Sequence, residues 1–357
     1  MLKICLTFDY ELFFGENYFD DDVVLFSPTK ELIEGLKEKN VSGTFFVDVC
    51  SIIQHKKYNL AEYVTGFSKQ LKYMISMNQD VQLHIHSHWL DSKYINSKWE
   101  FDKNHYRIHS YGFHKNQKLN VDSIIKTGIE YLNETIKVID PDYKCIAFRA
   151  GGFCLQPHQE LIEVLYNNGI RIDSSVAPNL SFSSDNNWYD YNHQIPSKNW
   201  NIGSDSEWWQ ESSNSRFLYE IPIGTEKKDC ISFVMKKLFT PKAIDFKLEQ
   251  KRGSYINNIK KMSVLEKTIS IYKYIMDYGA ISLDGYQAEF IYKQLEKFYH
   301  KNKCDKNDWT IALIGHPKLS SKSYVKNIQE LIELINNSAT MNIKITSIAE
   351  EYKKIFS

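Results

Sequence analysis

Histidine recurs at every second position in His84-Ile85-His86-Ser87-His88, directly after the strand-like run Val81-Gln82-Leu83. In extended backbone alternate side chains share a face, so the three imidazoles would line up on one side. His84 and His88 can converge on one ion where the strand turns into its loop. Two histidines and one carboxylate make a facial set that leaves positions open for water and substrate; zinc, iron, cobalt and nickel all accept it. A lone histidine is ordinarily a packed residue, whereas three in alternation are a far more specific signal. A carboxylate source lies in Thr7-Phe8-Asp9-Tyr10-Glu11. There the same alternation sends Asp9 and Glu11 to one face and Tyr10 to the other. Two carboxylates side by side after an apolar strand repel each other unless a cation or a proton intervenes. Either one could complete the ligand set.

Two further constellations carry weight in this company. In Phe148-Arg149-Ala150-Gly151-Gly152-Phe153 the arginine can grip a carboxylate through forked hydrogen bonds, and the glycines let backbone approach a ligand closely. In Leu313-Ile314-Gly315-His316-Pro317 the histidine suits a general acid, because its pKa is readily tuned near neutrality.

The elements that must position these residues alternate between two periods. Leu2, Ile4, Leu6 and Phe8 alternate with Lys3, Cys5 and Thr7, which reads as a strand ending at Asp9. Further strands are expected over 41–49, 81–89, 144–149, 170–176, 310–314 and 342–346. Helices are expected over 28–39, 61–77, 121–138, 157–167, 325–336 and 348–355. Strands that alternate with helices imply βα units and a mostly parallel sheet or barrel, and all four constellations fall at strand ends, where barrel active sites are built. Two stretches break the rhythm, about 91–120 and 185–215. The second is rich in Asn and Ser and holds Trp188, Trp200, Trp208 and Trp209. Connections of this length tend to be binding loops. This one is expected to fold over the cleft and offer aromatic contacts, Trp208 and Trp209 among them; the alternative is that the tryptophans anchor the loop.

Composition excludes several classes. Lys and Arg number 44, as do Asp and Glu, so zero net charge gives no footprint for nucleic acid. No apolar run is long enough to span a membrane, and the first residues lack the pattern of a secretory signal, which makes the cytosol the expected location. The six cysteines form no CxxC pair and read as small buried apolar residues rather than disulfides or zinc ligands. The 357 residues carry no internal repeat or dividing linker, so one domain over 1–357 is expected.

Taken in order, the four constellations resemble those of the NodB-homology polysaccharide deacetylase superfamily, carbohydrate esterase family 4. Thr7-Phe8-Asp9 resembles its opening strand end, His84 to His88 its His-x-x-x-His motif, Arg149 its arginine turn, and Leu313 to His316 its late Leu-x-x-His. Gly43-Thr44-Phe45-Phe46-Val47 and Gly169-Ile170-Arg171-Ile172-Asp173-Ser174-Ser175 are similar to two of its strands. The likeness covers 1–90, 140–180 and 310–357. The chain departs from the family at Tyr10, which stands where the family has a second Asp, and at Arg-Ala-Gly-Gly-Phe, which stands for its Arg-x-Pro-Tyr turn.

The resemblance implies a deformed (β/α) barrel of the deacetylase type with long loop insertions. It further implies one divalent metal, zinc first and cobalt, nickel or iron as alternatives, that activates water against an N-acetyl group on an amino sugar. Glu11, His84 and His88 would hold the metal, with Asp9 as the alternative carboxylate in an Asp-x-Glu spacing that some branches share. Asp9 would be the general base, Arg149 its orienting partner, His316 the general acid and Asp284 the partner of His316. His86, Phe153, Trp208 and Trp209 are expected around the substrate, with His86 alternatively orienting a ligand. A cytosolic member would meet a nucleotide-linked or lipid-linked amino sugar on its way to a surface polysaccharide or lipopolysaccharide; oligomeric state is left open. Competing readings are a sugar-binding barrel without chemistry and a metal hydrolase of another amide or a phosphoester. No second ligand cluster stands out in the sequence, which weighs against the phosphoester.

Overall fold

A computed structural model describes residues 1–13, 20–102, 104–114, 116–228, 277–285, 287–320 and 323–356. Cys230 lies outside the described residues, within 229–276.

The architecture is a curled, mostly parallel nine-stranded sheet with helices against it. Its strands are β1 (Leu2–Tyr10), β2 (Thr44–Asp48), β3 (Asp80–Ile85), β4 (Ala147–Ala150), β5 (Ile172–Asp173), β6 (Asn201–Gly203), β7 (Phe217–Glu220), β8 (Trp309–Gly315) and β9 (Ile343–Thr346). The order is β6-β7-β5-β4-β3-β2-β1-β8, and β9 pairs with the first half of β1. Only β6 and β7 run antiparallel to each other. The helices are α1 (Ser27–Glu38), α2 (Val49–Lys57), α3 (Ala61–Ser76), α4 (Val121–Ile136), α5 (Gln159–Asn167), α6 (Ala288–Lys301), α7 (Tyr324–Asn336) and α8 (Ile348–Phe356). α1 begins with Pro28 in its first turn, where a missing N–H costs nothing. α4 starts at a reciprocal cap between Asn120 and Ser123.

The sheet nearly closes on itself. Beyond β7 the chain runs beside β8: Ala312 N donates to Pro222 O at 2.9 Å and Gly224 N donates to Ala312 O at 2.9 Å. The Asn199 side chain clamps the same seam. Its amide donates to Glu220 O and Thr310 O at 2.9 and 2.7 Å, and its oxygen accepts from Thr310 N at 2.7 Å. A closure made by loop segments and one amide, instead of a full strand pair, is what deforms this barrel.

Register decides which side chains share the inner face. Residues paired across parallel neighbours point the same way, and every second residue does so along a strand. Asp9 pairs with Phe46 and Phe46 with Gln82, while Asp48 pairs with His84 and His84 with Arg149. Glu11 follows Asp9 by two. Phe8 pairs with Gly315, which sets Asp9 level with His316, the next residue on each side. One parity therefore carries Asp9, Glu11, Asp48, His84 and Arg149. The other carries Leu2, Ile4, Leu6, Phe8 and Tyr10 into the outer core.

Several elements differ from the sequence expectation. The strand expected to reach Trp89 stops at Ile85, and a 3-10 turn covers Ser87–Asp91. The 185–215 stretch is not wholly a loop, since it contains β6, and Trp200 beside it is buried. α2 and α6, not anticipated from periodicity, flank the sheet. No helix among the described residues is long and apolar enough to cross a membrane.

Candidate active site

Asp9, one residue before the end of β1, has 4% of its surface exposed. Arg149, fully buried on β4, donates from Nη1 to Asp9 Oδ1 at 2.7 Å. The guanidinium is itself fixed: Nε donates to Ser174 O at 2.9 Å, Nη2 to Ser174 Oγ at 3.0 Å, and its plane lies 4.1 Å over the Phe46 ring. Burial works against the charge on Asp9, but Arg149, then His84 and His316, hold its carboxyl below the usual range. Its free oxygen, Oδ2, faces His84 Nε2 at 3.9 Å and His316 Nε2 at 3.8 Å.

Tyr10 points away from all of this. Its hydroxyl donates to Gln70 Oε1 at 2.7 Å on α3, and its ring packs edge-on against Phe67. Glu11 returns to the inner face, as alternation requires. Its Oε2 lies 3.4 Å from His84 Nε2 and in direct contact with His86 Nε2. His84 Nδ1 sits 2.8 Å from the Arg149 carbonyl, which can only accept, so Nδ1 carries a proton and Nε2 is the nitrogen turned toward Glu11; burial opposes a charge on His84, but Asp9 and Glu11 raise its pKa. Burial opposes the Glu11 charge; His86 and Lys318 more than reverse this and keep the carboxyl well below its ordinary range.

Glu11, His84 and His86 thus form a buried group whose candidate ligand atoms all lie within 4.8 Å of one another. The expected set had His88 in place of His86; the structure groups His86, not His88, with Glu11 and His84. The three imidazoles share a face only while the chain stays extended to His88, but the backbone turns after His86. That turn carries the His88 ring to a stack on Tyr106, 5.6 Å between centroids and 9° from parallel. Burial pushes the His88 pKa down to about 3, so it is neutral there. His86 is pinned by its backbone N–H, which donates to Asp48 Oδ1 at 3.1 Å. Gly151 is required beside it, since a Cβ at that position would lie 2.4 Å from Ile85 O and 2.9 Å from His86 Nδ1.

At the end of β8, His316 Nδ1 is 2.7 Å from Asp284 Oδ2, and His316 N donates to Asp284 Oδ1 at 2.8 Å. Asp284 arrives because Leu283 N donates to Ile314 O at 2.8 Å, which aligns that segment along β8. Tyr324 OH also donates to Asp284 Oδ1, at 3.2 Å. Burial opposes protonation of His316, but Asp284, Asp9 and Glu11 together lift its pKa above the ordinary value. Its Nε2 lies 3.7 Å from Glu11 Oε1.

Two residues near this centre were not anticipated. Lys318, 7% exposed, donates from Nζ to Glu11 Oε1 at 2.8 Å. Asp48, fully buried, accepts from His86 N and from Cys50 N, and burial raises its pKa to about 6, moderated by His86 and His84. Asp48 could have been found by aligning the second and third strands in parallel, which sets it opposite His84. For Lys318 the only signal was its spacing of two from His316.

The expected substrate contacts are dispersed. Phe153 packs edge-on against Tyr189 at 5.7 Å. Trp208 is 1% exposed, packs against Tyr191, and its carbonyl accepts from Trp200 Nε1 at 2.8 Å, so Trp200 and Trp208 anchor the insertion. Trp209 is half-buried and stacks on His193 at 3.7 Å. A second acid–histidine group, which the sequence reading lacked, lies in the other insertion. There His105 Nδ1 contacts Asp102 at 2.8 Å and Asp91 at 3.3 Å, with Asp91 also accepting from Tyr111 OH.

The donor chemistry of Glu11, His84 and His86 fits a divalent metal: two imidazole nitrogens and a carboxylate, buried and mutually close, suit zinc, cobalt, nickel or iron. His84 Nε2 and Glu11 Oε2, both buried, face each other at 3.4 Å, as ligand atoms turned toward one cation would.

The chain matches no protein-family model and no curated protein. Among solved structures it is similar to a protein assigned as a polysaccharide deacetylase from Mycobacterium smegmatis, at 10% identity over 99% of this chain and 90% of that one, with a TM-score of 0.47. It is also similar to a CE4 family pseudoenzyme from Bacillus anthracis, at 10% identity over 98% of this chain and 64% of that one, TM-score 0.38. An allantoinase is similar at 6% identity over 99% and 91%, TM-score 0.43. At such identities these are likenesses of fold.

Proposed function

We propose that this protein is a metal-dependent hydrolase that removes an N-acetyl group from an amino sugar. The observation that carries the reading is that His84 Nε2 and His316 Nε2 both converge on Asp9 Oδ2, at 3.9 and 3.8 Å, with Glu11 Oε1 3.7 Å from His316 Nε2. Glu11, His84 and His86 would hold the ion, which when bound supplies a Lewis acid for the amide carbonyl and lowers the pKa of water. Asp9, held ionised by Arg149, takes the proton from the attacking water. Arg149 fixes one carboxylate oxygen and leaves the other toward the site, so the base meets water in one orientation. His316, protonated and steered by Asp284, gives its proton to the departing amine. Opposed environments thus separate the two groups: a carboxyl pushed down acts as base, an imidazole pushed up as acid.

The substrate class rests on the sequence resemblance. A nucleotide-linked or lipid-linked amino sugar, met in the cytosol during surface polysaccharide or lipopolysaccharide synthesis, fits it, and zinc is the first choice of metal. One domain over 1–357 accommodates both insertions. The half-buried Trp209 is the better candidate for a sugar contact, because Trp208 is used in packing.

The test is acetate release. The purified protein loaded with zinc or cobalt should liberate acetate from N-acetylated amino sugars, and a chelator should abolish this. Metal binding without turnover on any amino sugar would instead favour the sugar-binding barrel without chemistry.

A further inference from the structure

Lys318 is an ammonium buried at a carboxylate that faces two imidazoles. An ion this well buried needs a partner, and Glu11 Oε1 is the nearest, at 2.8 Å. Lys318 Nζ also donates to Leu12 O at 3.3 Å and lies 5.1 Å over the Phe13 ring. These contacts tie it to the residues that follow Glu11 as well as to Glu11 itself. The two oxygens of Glu11 are therefore unlike. Oε1 is turned to Lys318, and Oε2 is turned to His84 and His86.

We infer that Lys318 is a positioning residue for the metal group: by holding Oε1 it makes Glu11 offer a divalent ion the single oxygen Oε2. The inference rests on the metal reading above. A carboxylate binds a cation through one oxygen or through both, and a free glutamate can rotate between the two modes. One-oxygen binding leaves more of the ion's positions for water and substrate, which a catalytic site needs. The brace and the acid come from one short stretch, because Lys318 follows His316 by two residues and the turn Pro317–Leu319 lies between strand and loop. His316 Nε2 is 3.7 Å from the same Oε1, so a movement of this stretch shifts the acid and the carboxylate together.

Cobalt(II) reports coordination directly, since its visible bands weaken as the number of ligands rises. The full-length protein is loaded with cobalt(II) and its spectrum compared with those of Lys318→Met, Lys318→Gln and Lys318→Arg. In the Met and Gln variants, Glu11 is expected to close on the ion through both oxygens, with cobalt still bound and the visible bands reduced. Lys318→Arg, which keeps a cationic donor for Oε1, is expected to retain the strong bands. Gln is the milder change; its neutral amide can still donate weakly to Oε1, so a smaller reduction of the bands is expected there should the Met variant not fold. Bands of unaltered strength in both neutral variants would overturn the inference and leave the metal reading standing. Absence of any cobalt band in the unaltered protein would overturn the metal reading, and the inference with it.

Discussion

The two walls of the site are built differently. On one, Asp9, Glu11, His84 and Arg149 sit on or just past the ends of parallel strands of the sheet, each no more than 6% exposed. Their spacing follows from strand register, and the main chain holds them. On the other wall, His316 and Asp284 stand on segments beyond β8 and beside it, with side chains 21% and 14% exposed. They are oriented by hydrogen bonds to one another and to Tyr324. The dry wall suits a group that must hold a cation and a charged base in fixed places. The wetter wall suits a group that must meet a leaving amine and exchange its proton with solvent. Metal and base should therefore fail together, and the acid should fail alone.

The largest effect is expected on the strand wall. Replacing His84 with Ala should remove both metal and turnover, the latter by about two to three orders of magnitude. Metal content by elemental analysis beside kcat checks the link; full metal content with lost turnover would break the comparison. On the loop wall, His316→Ala should leave the metal in place and lower kcat by about a hundredfold or more. Asp284→Asn should be milder, about tenfold to a hundredfold, and should change the pH profile. If His316 is the acid, activity needs it protonated, and Asp284 raises its pKa, so activity should fall as pH rises through that raised value. Without the carboxylate the falling limb should move to lower pH. A limb that stays in place would show that Asp284 does not tune the acid.

The last effect, on stability and not on turnover, concerns the floor beneath the strand wall. Burial raises Asp48 from 3.8 to about 6. A carboxyl raised in the folded state favours folding while protonated, so its contribution is full below about pH 4 and lost as pH rises through about 6. Relative to Asp48→Asn, the unaltered protein should lose on the order of 2–3 kcal/mol across that window. Parallel melting curves of the two proteins at both ends of the window measure it, and a constant difference would refute the burial argument.

The strand wall was legible in the sequence where regular periodicity persisted. Asp9 and Glu11 come from a strand buried on both faces whose alternation is unbroken, and the structure turns both inward. Tyr10, a departure from the family pattern, is explained by the same alternation, since it belongs to the outer core. His88 shows where periodicity ceases to inform. A period of two is a property of extended backbone, and the turn at Ser87 lies past its end. Lys318 and Asp48 were illegible for another reason: their meaning comes from partners on other strands, at separations no local pattern carries. Trp200 and Trp208 show that an aromatic, polar stretch can be a sheet edge with its own packing, so composition alone did not separate anchor from ligand contact.

The most direct test of the site is a crystal structure of the zinc-loaded protein with anomalous diffraction recorded at the zinc edge. The account predicts one peak inside the barrel mouth, bonded at about 2.0–2.2 Å to Glu11, His84 and His86, with His88 still stacked on Tyr106. A peak bonded to His84 and His88, or no peak at this group under saturating zinc, would contradict it.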